Sequence, residues 1–92
     1  MDYKILPYSL NQAKKLGVTI KPSTKKDKKI DVFKGDKLIH SIGAKGYKDF
    51  PTYIKEKGLD FASERRQLYK ARHKKDLSVV GSKGWYADKI LW

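Results

Sequence analysis

The side chains best equipped for chemistry lie in one run, Asp60 to Lys75, DFASERRQLYKARHKK. A nuclease could draw an acid from Glu64 and use Tyr69, Arg72 and His73 around a phosphate, although no metal site accompanies them. With no cysteine in the chain there is no disulfide framework and no thiolate metal site. The two histidines have no acidic cluster beside them, which argues against zinc or iron. Neither a phosphate-binding glycine loop nor a Ser/His/Asp or Cys/His set is present. Asp31 and His40 would face each other across a hairpin, but no nucleophile is near, so they read as a cross-strand pair at the sheet surface. The expectation is a protein that is not an enzyme and carries no cofactor or metal.

Binding is the stronger theme. The formal charge is +12, from 22 Lys and Arg against 10 Asp and Glu, and the excess is positive in each third of the chain. It is therefore a property of the whole domain, of a size that attracts polyanions at long range. Mere solubility of a small domain needs a net charge of only about 2 to 8. No apolar run approaches the length of a membrane span, and Met1–Leu10 lacks a signal-peptide core.

Ninety-two residues make a single domain, 1–92, with a small core. The fold class expected is α+β, an antiparallel hairpin with three to four short helices. Ser9 caps a first helix over 10–16 that Gly17 stops, and Val18–Lys21 reads as a strand or an extended exit ended by Pro22. Residues 22–29 form a mobile basic loop without apolar anchors. The hairpin covers 29–42 around Gly35-Asp36, with Phe33 facing Leu38, Val32 facing Ile39 and Asp31 facing His40. Asp49 caps a helix over 50–57 with Pro51 in its first turn, and Gly58 closes it. Asp60 caps the long helix over 61–75, which contains neither glycine nor proline. The last helix, over 84–91, folds Trp85, Tyr86, Ile90, Leu91 and Trp92 back onto the core, because that much apolar surface is costly in water.

On the long helix Phe61, Ala62, Leu68 and Tyr69 share one face, with Arg66, Lys70, His73 and Lys74 on the other. Arg65 and Arg72 project from the middle of the apolar face. There each needs either a carboxylate, with Asp49, Asp60 and Asp88 the candidates, or an anion from outside.

The hairpin KKIDVFKGDKLIHSIGA with the following GYKDFPTYIKEKG, the run RRQLYKARHKKD and the ending GSKGWYADKILW occur in that order. Together they resemble a family of small basic proteins of nucleocytoplasmic large DNA viruses, with related versions in tailed phages. The resemblance makes Arg65, Arg66, Tyr69, Arg72 and His73 signature positions of the central helix. In the ending it does the same for Gly81, Gly84, Tyr86, Leu91 and Trp92. It implies a viral setting, an infected host cell or the virion, rather than an activity. Arg65 and Arg72 would suit a structural lock on the terminal segment, for instance against Asp88 or the chain's terminal carboxylate.

The function expected is largely sequence-independent nucleic-acid binding, DNA ahead of RNA, through phosphate contacts. Lys25, Lys26, Lys28 and Lys29 in the loop and Arg66, Lys70, His73, Lys74 and Lys75 on the helix are the candidate contacts. The alternative is a minor virion protein whose basic surface holds acidic capsid or other virion neighbours.

Overall fold

The computed structural model describes residues 3–92. Its architecture is α+β, with the chain running α1 (Pro7–Leu16), β1 (Thr19–Pro22), β2 (Lys28–Lys34), β3 (Lys37–Ala44), α2 (Phe50–Lys57), α3 (Leu59–Arg72), α4 (Lys74–Leu77) and α5 (Lys83–Leu91). The strands form one antiparallel sheet in the order β1-β2-β3. β-branched side chains at alternate positions put Ile20, Ile30, Val32 and Ile42 on a single face, since Ile20 pairs with Val32 and Ile30 with Ile42. That face is covered by Ala13 of α1 and by Tyr86, Ile90 and Leu91 of α5, which complete the core. Burying the six Ile, Val and Leu side chains among these contributes about 1.5 to 3 kcal/mol each.

α5 is held at both ends. Ser82 caps it, its hydroxyl accepting from the Trp85 N–H at 3.2 Å. At the other end Ser9 Oγ donates to the Ile90 carbonyl at 2.8 Å and Gln12 Nε2 to the Lys89 carbonyl at 2.9 Å, so α1 satisfies orphan acceptors of the last turn. Ser9 is thus an internal residue of α1, not its cap; the helix begins earlier because Pro7 brings a helical φ to the first turn.

The hairpin turns at Gly35, φ 63°, and Phe33 stands opposite Leu38. Beyond that pair a bulge shifts the register, so that Val32 meets His40 and Asp31 meets Ser41. One extra residue, Ile39, is accommodated, and everything past it changes partner. The Asp31–His40 pair of the simple register is therefore not formed. Asp31 is instead buried and accepts from Ser23 Oγ at 2.6 Å, Ser41 Oγ at 2.7 Å and the Thr24 N–H at 3.3 Å. Burial by itself would raise its pKa, but these donors outweigh it and leave the carboxyl below its ordinary value. The basic connection between β1 and β2 is tied to the sheet through Asp31, and Ser23 N–H also donates to the Lys29 carbonyl.

α2 starts where its sequence signals place it. Asp49 caps it, Oδ1 accepting from the Thr52 N–H at 3.1 Å, and Pro51 lies in the first turn. α3 begins one residue after Gly58, so Asp60 falls inside its first turn, where its charge favours the helix dipole without capping it. It ends at Arg72; His73 breaks the helix, and Lys74–Leu77 forms a separate short turn of helix rather than the continuation expected to Lys75.

Candidate nucleic-acid interface

α2 and α3 pack against each other as a helical pair beside the sheet and α5. Between the pair and the edge strand β3 runs an open groove of about 640 Å³. The buried Lys29 and Leu91 with Gly43 form its floor, Tyr53, Arg65, Tyr69 and Arg72 line it from the helices, and Tyr47 and Trp92 line it as well. No Asp or Glu side chain lines it among the described residues.

Three rings form a column along one wall. Tyr69 stacks on Trp92 with centroids 4.4 Å apart and planes 8° from parallel, and His73 lies 4.3 Å from Tyr69 at 26°. Tyr53 approaches Trp92 at 6.2 Å, which extends the aromatic surface to α2. Burial pushes the Tyr69 hydroxyl up to about 12, with the Asp88 and Asp76 charges adding to it and Arg72 opposing. Tyr69 is therefore neutral at any physiological pH. The His73 ring nitrogen Nδ1 lies 3.2 Å from Asp76 Oδ2.

The floor is rigid. Lys29 Nζ reaches Asp49 Oδ2 at 3.0 Å, and Tyr3 Oη donates to the same oxygen at 2.6 Å. Both charged side chains are nearly inaccessible, 5% and 1% exposed. One carboxylate thus caps α2, neutralises a buried lysine and ties down the segment before α1. Gly43 sits over this pair with φ 79°, and a Cβ there would come within 2.8 Å of Leu91 Cδ1 and 3.0 Å of Lys29 Cδ. Only glycine allows the backbone to pack this closely against Leu91 and Lys29, and at a positive φ.

The inward face of α3 is rotated relative to the sequence reading: Ala62 and Tyr69 stay inward, Leu68 leaves, and Arg66, Lys70 and His73 join. Ala62, Arg66, Tyr69, Lys70 and His73 turn toward the body at the spacing i, i+4, i+7, i+8, i+11, while Arg65, Leu68 and Arg72 are exposed. Arg66 lies over the Phe50 ring at 4.5 Å with Nε buried. Lys70 Nζ donates to buried Asp88 at 2.7 Å. Asp88 therefore serves Lys70, not Arg65 or Arg72, and neither arginine has a carboxylate partner among the described residues. Exposure removes the desolvation cost that would have required one. The lock on the terminal segment is instead the Tyr69–Trp92 stack, together with Gly84, where a Cβ would meet Asp76 Cβ at 2.6 Å.

The nine side chains expected at phosphates divide accordingly. Lys25, Lys26, Lys74 and Lys75 are exposed and Lys28 partly so. Lys29 is withdrawn from that role by its burial against Asp49, and Arg66 and Lys70 are largely committed to Phe50 and Asp88. His73 joins the aromatic column. Lys28 and Lys25 come close enough to Lys83 at the start of α5 to lower its pKa, Lys28 first, then burial, then Lys25. This is a second region where positive charges crowd together.

Tyr47, Lys48, Tyr53 and Leu68 also belong to the groove, beyond the residues the sequence assigns to a site. A signal existed in GAKGYK, where an aromatic side chain sits between two lysines on a glycine-bracketed connection. Among the described residues no three His, Cys, Asp or Glu side chains lie together as a metal would need, and no helix is long and apolar enough to cross a membrane. No family model, no curated protein and no solved structure matches this chain.

Proposed function

We propose that this is a non-enzymatic, largely sequence-independent nucleic-acid-binding protein, acting on DNA ahead of RNA. The observation that carries the reading is the groove, lined by no described Asp or Glu side chain, with Arg65 and Arg72 free of side-chain carboxylates at its edge beside an aromatic column. Of the 22 Lys and Arg, only Lys29, Lys48 and Lys70 form ion pairs with a described carboxylate. Apart from Arg66, held over Phe50, the remaining charge is free of described carboxylate ion pairs and so open to an outside polyanion. The resemblance to small basic proteins of large DNA viruses supplies the setting proposed for it, an infected cell or the virion.

The test is a mobility-shift titration on unrelated duplexes and single strands at several salt concentrations. Contact with about six phosphates makes affinity fall roughly a thousandfold between 50 and 200 mM salt. A flat salt response, or no shift at micromolar protein, overturns the proposal.

A second reading, a minor virion protein that holds acidic neighbours through the same basic surface, draws on exposed apolar side chains. Leu59, Val79 and Val80 are exposed and give a protein partner something to cover.

A further inference from the structure

We propose that the groove takes an unpaired base of a single strand, stacked on Tyr47, with the adjoining phosphates on Arg65 and Arg72. This rests on the nucleic-acid reading above and narrows it from any phosphate chain to one with accessible bases.

The argument begins with Tyr47. It follows Gly46 on the connection between β3 and α2, is 76% exposed, and has no ring neighbour, although every other groove aromatic is paired. A large ring left bare beside a cavity is a stacking surface waiting for a partner. The volume, about 640 Å³, lies within the range of roughly 300 to 1,000 Å³ typical of sites that enclose a small planar ligand. The Tyr69–Trp92 wall offers that ligand apolar surface.

Charge then selects the ligand. Lys29 at the floor is neutralised by Asp49, so the depth of the groove is electrically quiet and suits an uncharged ring. The unpaired guanidinium groups of Arg65 and Arg72 are exposed on the wall, where a phosphate on either side of that ring would lie. Apolar depth under a cationic edge matches a base with its backbone. A duplex, whose bases are stacked inside, can offer only its phosphates to the edge and leaves the depth unused. Base stacking on an aromatic side chain is sequence-tolerant, in keeping with binding that does not read sequence.

The experiment is fluorescence anisotropy with three labelled probes of about 12 nucleotides, a length one small domain can cover. The probes are oligo-dT, a strand of the same length carrying abasic sites, and a duplex. Wild-type protein and Tyr47→Ala are compared, with a Trp85→Phe background used to read Trp92 fluorescence. The expected result is oligo-dT bound at least tenfold more tightly than either other probe, with Trp92 fluorescence changing for oligo-dT alone. Tyr47→Ala should erase that preference and leave abasic and duplex binding unchanged. Equal affinity for all three probes, or a neutral Tyr47→Ala, overturns the base-stacking site while nucleic-acid binding stands. Binding to none of the probes overturns both.

Discussion

Lys29 and Arg72 border the same groove and carry the same charge, yet they live in opposite conditions. Lys29 lies at the floor, sealed from water and joined to Asp49 at 3.0 Å. Arg72 lies on the wall, exposed and without a described carboxylate. The floor charge belongs to the fold, because removing its partner strands an ion in a low-dielectric site. The wall charge belongs to whatever the groove meets. A count of +12 treats the two as equal, and the difference shows that net charge overstates what a surface can offer a polyanion.

The sharpest way to break the comparison is at Asp49. Asp49→Ala leaves Lys29 buried and unpaired and also removes the α2 cap and the acceptor of Tyr3. The expected loss is about 3 to 5 kcal/mol for breaking a buried pair. That is a large share of the roughly 5 to 15 kcal/mol typical of a small domain. Urea unfolding followed by Trp fluorescence measures it. A midpoint unchanged from wild type would mean that the floor pair does not hold the fold.

Asp31 offers a smaller effect with a pH signature. Its carboxyl titrates below its ordinary value, because hydrogen bonds from Ser23, Ser41 and the Thr24 N–H outweigh the effect of burial. In the unfolded chain it would take up a proton near pH 4. The folded form does so only at lower pH, so Asp31 contributes stability above that point and loses it as pH falls through the folded value. Ser41→Ala removes one donor and should cost about 1.5 to 3 kcal/mol at neutral pH. It should also flatten the acid limb of the stability curve, since Asp31 then titrates closer to its unfolded value. Thermal melts of both proteins between pH 3 and 7 check the two parts together.

These two carboxylates also mark how far the sequence could be read. The α+β fold, the hairpin turn at Gly35, the Asp49 cap and the span Phe50–Lys57 follow from local signals, and local chemistry settles them. The environment of Asp31 does not, because a bulge at Ile39 moves it from His40 to Ser41 and no residue there demands a bulge. Nor does the inward face of α3, since the stripe Ala62, Arg66, Tyr69, Lys70 and His73 contains two obligate cations and hides its own periodicity. Phe50 and Asp88, remote in the chain, fix that stripe by receiving Arg66 and Lys70. The groove was half legible: its arginines and Trp92 stood out, whereas Tyr47 and Tyr53 acquire meaning only when β3 and α2 come together.

The smallest effect on stability carries the most information about the wall. Arg65 and Arg72 lose no ion pair with a described residue when replaced, and surface changes of this kind usually shift stability by less than about 0.5 kcal/mol. The one contact at stake is Arg65 over the Phe61 ring at 5.2 Å, worth about 0.5 to 1 kcal/mol at an exposed site. Arg65→Gln with Arg72→Gln should therefore melt within a few degrees of wild type. The same double variant should reduce the dependence of log affinity on log salt by close to 1.4 to 1.8, the contribution of two phosphate contacts to a single or double strand. If the salt slope is unchanged while the fold stays intact, the two guanidinium groups do not touch the backbone. The phosphate contacts would then belong to the Lys25, Lys28 and Lys83 cluster, where positive charges crowd closely enough to lower the Lys83 pKa.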